Sequence, residues 1–338
     1  MQSSPTPQRW LVTGAAGFIG SHLVERLVTL GQSVRGIDNF STGKRANIEA
    51  IRRQVSEEAW KQLSFQELDI RDRAELTAVL QEFKPDIVLH QAALGSVPRS
   101  IADPISSHES NVDGFINLLD AARKAGTRRF VYASSSSVYG DIEESPKVEG
   151  SIGELISPYA ATKRINEVYA QTFGRTYGME TVGLRYFNVF GPRQDPDGPY
   201  AAVIPRWLAA ILAREPAVLY GDGSTSRDFC YVANVVQANI LAGTVAAGNS
   251  VINKVVNIAC GETTSLKELF ELLRDEVARQ QGIEVAAIPT PRQEPFRKGD
   301  ILHSKADISL AREALGYYPS HTLQDGIGEL VRASIEAR

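Results

Sequence analysis

The sequence predicts an α/β fold: a doubly wound parallel sheet followed by a smaller C-terminal α/β lobe. Residues 9–13, Arg-Trp-Leu-Val-Thr, form a short β-type run that leads into Gly14-Ala15-Ala16-Gly17-Phe18-Ile19-Gly20. Apolar residues then recur at helical spacing, Ile19, Leu23, Leu27 and Leu30, until Gly31 stops them. Strand-type and helix-type segments alternate from there to Tyr186, and strands separated by helices imply parallel pairing with right-handed crossovers. Beyond Tyr186 the alternation weakens and the elements become smaller, which predicts the second lobe.

Taken in order, the second strand covers 33–37 and ends at Asp38. A helix is expected over 44–59, a strand over 64–68 ending in Asp69, a helix over 73–83, and a strand over 87–91 after Lys84-Pro85-Asp86. One long helix is expected over 107–124, and a strand over 129–133 delivers the run Ser134-Ser135-Ser136-Ser137. Ser157 is suited to cap a helix whose first residue, Pro158, needs no N–H. A strand over 181–185 follows, then Tyr186-Phe187-Asn188-Val189-Phe190-Gly191-Pro192 and a loop rich in Pro, Gly, Asp and Arg up to Tyr200. Helices over 202–213 and 233–246, strands over 218–220 and 255–258, and a helix starting near Ser265 complete the reading. The organisation is Rossmann-type. Residues 1–8 read as a loose tail, 9–186 as a dinucleotide-binding domain, and 187–338 as mainly a substrate-binding lobe with some chain returning to the first domain. Ligands of such a sheet belong at the carboxyl ends of its strands, where Asp69, Gln91-Ala92-Ala93-Leu94 and the serine run all begin.

With 338 residues, 43% of them hydrophobic and 22% charged, the composition is that of a globular protein with ample length for a buried core. The net charge of −4 offers no basic field for nucleic acid, so an anionic ligand has to be held by local arginines. Cys230 and Cys260 lack metal-ligand spacing and read as small buried residues, and His22, His90, His108 and His321 show no metal spacing either. The N-terminus lacks the basic and apolar regions of a signal peptide, and no run approaches membrane-spanning length, so a cytoplasmic setting with no membrane partner is expected.

The glycine turn lets the backbone bend sharply and approach a pyrophosphate, which the free N–H groups and dipole of the following helix attract. Gly14, Gly17, Phe18, Ile19 and Gly20 are therefore assigned to a dinucleotide. Asp38 stands at the separation expected of the acid that binds the adenosine ribose. An aspartate there hydrogen-bonds a 2′-hydroxyl and repels a 2′-phosphate, which favours NAD over NADP. Asn39-Phe40-Ser41-Thr42-Gly43 would continue around the adenosine, and Asp69, Ile70, Gln91, Ala92 and Ala93 extend the cofactor wall. Tyr159 and Lys163 lie one helical turn apart on one face. Bringing a phenol from pKa ≈ 10 to near 7 needs roughly 4 kcal/mol of differential stabilisation, which Lys163 and other nearby cations are expected to supply.

Gly14-x-x-Gly17-x-x-Gly20, Asp38, the Ser135 region and Tyr159-x-x-x-Lys163 together resemble the extended short-chain dehydrogenase/reductase family. Within it the chain is similar to nucleotide-sugar 4-epimerases, particularly the UDP-N-acetylglucosamine and UDP-N-acetylglucosaminuronic acid 4-epimerases of bacterial surface-polysaccharide synthesis. The segments that carry this likeness are Gln91-Ala92-Ala93-Leu94-Gly95-Ser96-Val97-Pro98-Arg99-Ser100, Arg185-Tyr186-Phe187-Asn188-Val189-Phe190-Gly191, Gly221-Asp222-Gly223, Ser226-Arg227-Asp228-Phe229-Cys230-Tyr231 and Phe296-Arg297-Lys298-Gly299-Asp300. The resemblance implies that Tyr159 takes the proton of the sugar 4-hydroxyl and that Lys163 also binds the nicotinamide ribose. It aligns Ser135 with the family's catalytic hydroxyl, with Ser136 and Ser137 as alternates. It implies diphosphate clamps at Arg227 and Arg297, sugar or diphosphate contact at Asn188, and uridine ribose contact at Asp300. Small residues at Gly95, Ser96 and Ser304 imply room for an N-acetyl group, and a homodimer is implied as well. Arg99 or His303 is a possible partner for a C6 carboxylate. The related 4,6-dehydratases place an Asp-Glu pair after the catalytic hydroxyl residue, where this chain has Ser136-Ser137. UDP-glucuronate decarboxylation and a non-catalytic NAD sensor stand as the alternative readings.

Overall fold

The computed structural model describes residues 7–197, 201–296 and 302–337. The sheet is built by β1 (Arg9–Thr13), α1 (Phe18–Thr29), β2 (Ser33–Asp38), α2 (Arg45–Gln54), β3 (Leu63–Glu67), α3 (Arg73–Phe83), β4 (Ile87–His90), α4 (Gly114–Lys124), β5 (Arg129–Ser135), α5 (Pro158–Tyr177) and β6 (Glu180–Tyr186). Further along come α6 (Val203–Ala213), α7 (Val232–Thr244), β7 (Lys254–Ile258), α8 (Leu266–Gln281) and α9 (Leu323–Glu336). Seven strands lie in the order β7-β6-β5-β4-β1-β2-β3, every neighbouring pair parallel. The chain runs outward from β1 to β3, then crosses back to β4 on the other side of β1. That reversal opens a crevice beyond the carboxyl ends of β1 and β4.

The strands are apolar on both faces because both are covered. Trp10, Val12, Leu89 and Val131 pack with α1 and α7 on one side. Leu11, Val88 and Phe130 pack with α3, α4 and α5 on the other. Chain from beyond residue 186 thus contributes both the edge strand β7 and the covering helix α7. A separate hydrophobic cluster joins α6, α8 and α9 around Trp207, Phe270 and Leu330. Beside it run short strand pairs, Val189–Phe190 with Cys230–Tyr231 and Ser226–Arg227 with both Thr264–Ser265 and His303–Ser304.

Two helices differ from the sequence expectation. The helix expected over 44–59 stops at Gln54, and Ser56 caps a new turn, Glu57–Trp60, by accepting the Ala59 N–H at 3.2 Å. The helix expected over 107–124 is interrupted: Pro104–His108 runs into a π-turn, Glu109–Asp113, before α4 begins. The wide turn presents Asn111, whose Oδ1 accepts the Leu94 N–H at 2.7 Å while its Nδ2 donates to Leu94 O and Thr162 Oγ1. A π-turn keeps helical dihedrals, so apolar periodicity carries little trace of it.

Residues from three elements meet in a buried polar network. Glu167 of α5 accepts both the Nε and Nη2 of Arg185 on β6, at 2.8 and 2.9 Å, and the Ser134 hydroxyl of β5 at 2.6 Å. Glu167 and Arg185 side chains are 2% and 1% exposed. Leaving one member of such a pair alone in the interior costs about 3–5 kcal/mol. Glu167→Ala is accordingly expected to lower the unfolding free energy by that amount in urea titration, and a loss under about 1 kcal/mol would show that the pair does not hold α5 to the sheet.

Candidate active site

A cleft of about 370 Å³ opens at the carboxyl ends of the strands. At its floor the chain turns through Gly14, at φ +67°, and the Gly17 N–H donates to Gly14 O at 3.0 Å. A Cβ on Gly14 would sit 2.9 Å from Ala92 N, and one on Gly20 would sit 1.9 Å from Gly14 O. Only glycine fits either place. Helix α1 then begins with no side chain capping it at Gly17, so first-turn N–H groups face the cleft beside Phe18, Ile19 and Gly20. An uncapped helix N-terminus behind a glycine turn is the cradle a pyrophosphate requires.

Asp38, at the end of β2, is 7% exposed and accepts the Ala16 N–H at 2.9 Å and the Phe40 N–H at 2.7 Å. Burial raises its pKa, offset by those N–H groups. Two fixed bonds leave further lone pairs for a ribose hydroxyl. Asn39, Ser41 and Thr42 line the cleft with it. Asp69 accepts from Asn39 Nδ2 and Arg71, and the Arg71 guanidinium holds its pKa down to about 2. These residues fit NAD, with the adenosine toward Asp38 and Asp69.

At the other end, α5 brings Tyr159 and Lys163 up against β5. Ser135 also reaches the cleft beside Tyr159. Burial pushes the phenol above its ordinary pKa, and the nearby Ser135 hydroxyl offsets part of that rise. Lys163, 2% exposed, donates to Ala133 O at 3.0 Å, stands 5.9 Å from the centre of the Tyr159 ring, and is brought down to about 8 by burial. Burial disfavours the charged forms of both side chains, and the strand-end carbonyl takes one of the three ammonium N–H groups.

The floor between the two ends is fixed by a closed set of hydrogen bonds. The Tyr186 hydroxyl donates to Gln91 Oε1 at 3.1 Å, Gln91 Nε2 donates to Asn239 Oδ1 at 3.0 Å, and Asn239 Nδ2 donates to the Tyr186 hydroxyl oxygen at 2.8 Å. The Thr13 hydroxyl lies 2.8 Å from His90 Nδ1 and accepts the Ala92 N–H at 3.3 Å. Burial together with the Lys163 charge holds His90 down to about 3, so it is neutral. It braces the ends of β1 and β4.

Of the residues read from sequence, Ile70, Gln91, Ala92, Ala93, Gly95 and Asn188 also reach the cleft. Phe40 does not: its ring packs 5.5 Å from Phe65 and under Arg45. Gly43 lies behind Asp38, where a Cβ would come 2.7 Å from both carboxylate oxygens. Ser96 caps the short helix Val97–Ala102 by accepting the Arg99 N–H at 3.3 Å. Ser136 and Ser137 turn away in a 3-10 turn, Ser136–Tyr139. Arg227 Nη1 donates to Ser226 O and Leu302 O, and Ser304 pairs with Arg227 across adjoining strands, both outside the described cleft. Arg297 and Asp300 lie outside the described residues. The cleft also takes in Ser110, Ala133, Ser134, Tyr186 and Val189, which the sequence reading did not single out for it. Ser134, Tyr186 and Val189 lie inside the serine run and the segment 185–191. Ser110 sits in the π-turn and carried no signal.

Comparison with known proteins agrees with this geometry. The model of the NAD-dependent epimerase/dehydratase family matches residues 10–259. A UDP-glucose 4-epimerase of Mycolicibacterium smegmatis is 40% identical over 324 residues, 96% of this chain and 97% of that protein. A UDP-N-acetylglucosamine 4-epimerase from Methanobrevibacter ruminantium, solved with UDP-N-acetylmuramic acid, superposes with a TM-score of 0.87 at 36% identity, covering 98% of this chain and all of the other. A Thermus thermophilus UDP-glucose 4-epimerase in complex with NAD gives 0.82 at 35% identity, with 98% of this chain and 100% of that one covered. The cofactor is NAD. Gly20→Ala, which drives a Cβ into Gly14 O, is expected to leave the purified protein with less than about a tenth of the wild-type bound NAD, measured by absorbance after acid release. Full retention of NAD would place the dinucleotide elsewhere.

Proposed function

The chain belongs to the NAD-dependent epimerase/dehydratase family, and from that membership we propose that it is a 4-epimerase of UDP-N-acetylhexosamines or their uronic acids, working through a transient 4-keto sugar. The observation that carries this reading is where the acids lie. Among the described residues, the carboxylates lining the cleft are Asp38 and Asp69, both at the adenosine end. Beside Ser135 and Tyr159 there is none, and the next two residues are serines. Elimination of water across C5 and C6 needs an acid and a base there. Oxidation and re-reduction at C4 need only the phenol, its hydroxyl partner and NAD as hydride acceptor.

NAD, held along Gly14, Gly17, Gly20 and Asp38, would supply a hydride acceptor for C4 that can give the hydride back to the opposite face of the keto sugar. Tyr159 takes and returns the 4-hydroxyl proton, and Ser135 bridges the phenol and the sugar oxygen. Lys163 donates to Ala133 O and keeps further N–H donors for the nicotinamide ribose, its proposed partner. Rotation of the keto sugar requires that binding energy sit on the nucleotide rather than on the hexose. Arg227 and Arg297 are the proposed diphosphate contacts, Asn188 borders diphosphate or sugar, and Asp300 the uridine ribose. Gly95 supports a roomy sugar site, because a Cβ there would meet nothing within 4 Å. Ser304 is the proposed size gate. We also propose a homodimer, supported by exposed Ile101, Ile105, Val168 and Tyr169 on and next to the helices at 104–108 and 158–177. Supply of nucleotide sugars for surface polysaccharide in the cytoplasm is the setting this activity suits.

The test is NMR of product mixtures after separate incubation with UDP-GlcNAc, UDP-GlcNAcA and UDP-Glc. C4 epimers are expected from at least one of the first two. Carbon dioxide release would instead identify a decarboxylase, and a stable 4-keto-6-deoxy product a dehydratase. Tyr159→Phe is expected to reduce turnover by about 10²–10⁴-fold, and undiminished conversion would remove Tyr159 as the base. Ser304→Tyr is expected to lose N-acetylated substrates first; an unchanged preference between UDP-GlcNAc and UDP-Glc would remove Ser304 as the gate.

A further inference from the structure

Helix α5 starts with an unfilled position in its cap. Ser157 Oγ accepts the Ala160 N–H at 3.1 Å, and Pro158 has no N–H to satisfy. The Tyr159 N–H is therefore an orphan of the first turn. Its acceptor comes from far away in sequence: Ser100 Oγ, 59 residues earlier, at 3.0 Å. Ser100 is fully buried at 0% exposure, and its own proton goes to Val97 O at 2.8 Å. With the hydroxyl proton committed, the lone pair facing Tyr159 is fixed in direction. The backbone of the tyrosine is thereby bolted to the short helix Val97–Ala102, which follows directly on Gly95 at the rim of the cleft.

We propose that Ser100 is a positioning residue for Tyr159: it sets how far the phenol reaches into the cleft relative to Ser135 and Lys163, and it ties that reach to the turn bordering the sugar. No other bond given for Tyr159 in the described structure joins its backbone to that turn. The inference rests on the reading of Tyr159 as the proton-transfer base. Ser100 touches neither phenol nor cleft, so its effect passes wholly through the tyrosine backbone. Displacement of a reacting group by about 1 Å is enough to lower turnover about 10²-fold.

The experiment compares wild type, Ser100→Ala and Ser100→Cys as purified holoenzymes. Cysteine keeps the side-chain shape with a somewhat larger atom and offers a weaker acceptor. Wild-type epimerisation is measured first, and its absence with every substrate would sink the functional reading rather than this one. Given wild-type activity, Ser100→Ala is expected to keep its bound NAD and a substrate KM within about threefold while kcat falls about 10- to 100-fold, with Ser100→Cys between the two. The acid limb of the kcat profile, which reports the phenol, is expected to move upward in Ser100→Ala by about half a pH unit or more. A merely structural serine would move neither limb nor ratio. The proposal is overturned if kcat and the acid limb stay at wild-type values in Ser100→Ala. It is equally overturned if NAD content, KM, kcat and melting temperature all decline together in both variants.

Discussion

Much of this architecture depends on where α5 sits against the sheet, and that is fixed by one buried carboxylate. Glu167 faces Arg185 on β6 and Ser134 on β5 at once, and a third cation, Arg164, approaches from the surface at 2.9 Å. Against an apolar replacement such a pair adds little net stability, because two charges have left water. What it adds is direction. An apolar side chain at 167 tolerates rotation or a slip of the helix, whereas a carboxylate bonded to two nitrogens of a guanidinium and to a hydroxyl does not. From that anchor the rest of the helix is set: Lys163 falls one turn earlier at the Ala133 carbonyl, and Tyr159 one turn before that beside Ser135. Arg185 continues inward, lying over Tyr139, whose hydroxyl donates to Asn257 on β7 at 2.6 Å. One chain of polar contacts thus joins α5 to three adjacent strands.

Burial acts on both candidate catalytic side chains of the site that results. Burial raises the phenol and lowers the ammonium, and neither effect is cancelled by the other partner at the 5.9 Å separation seen between Lys163 and the Tyr159 ring. In the proposed reaction the phenol has both to take and to return one proton, and Ser135 is the hydroxyl proposed to stand between it and the sugar oxygen.

The legible parts of the sequence were those decided within a few residues. The glycine turn at 14–20 is legible because a Cβ at Gly20 has nowhere to go. The cap at Ser157 with Pro158 is legible because both act on their own helix. Asp38 was found by its separation from the glycines, and Tyr159 with Lys163 by helical spacing. What escaped depends on partners far along the chain. Asn239 holds Gln91 and Tyr186 from 148 and 53 residues away, and Ser100 reaches Tyr159 across 59. The π-turn at 109–113 escaped for a different reason: such turns are rare and short, and the polar residues around it give no apolar stripe whose phase shift would mark it. Phe40 neighbours Asp38 in sequence, yet its aromatic ring packs on Phe65 rather than into the cleft, a long-range pairing that no local pattern announces.

The less regular second half is tied to this framework through Asp228. Its carboxylate accepts the N–H groups of Cys260, Gly261 and Ala306 at 2.9, 3.0 and 3.3 Å, and its carbonyl accepts Asn188 Nδ2 at 3.0 Å. Burial lifts its pKa to about 6, opposed by those N–H donors. The neutral form is the one the fold favours, so Asp228 contributes most to stability below its ordinary pKa and loses that contribution as pH rises through about 6. Retaining an acid that is costly when charged makes sense for what it joins. The short strand carrying Arg227, the turn just after β7, the segment beyond Ser304 and the cleft residue Asn188 all meet at this one side chain. Residues proposed to hold the nucleotide are thereby indexed to the same sheet that presents Tyr159. A substrate gripped by its diphosphate can be delivered to the phenol without the hexose itself being gripped, and that separation of grip from chemistry is what inversion at a single carbon demands.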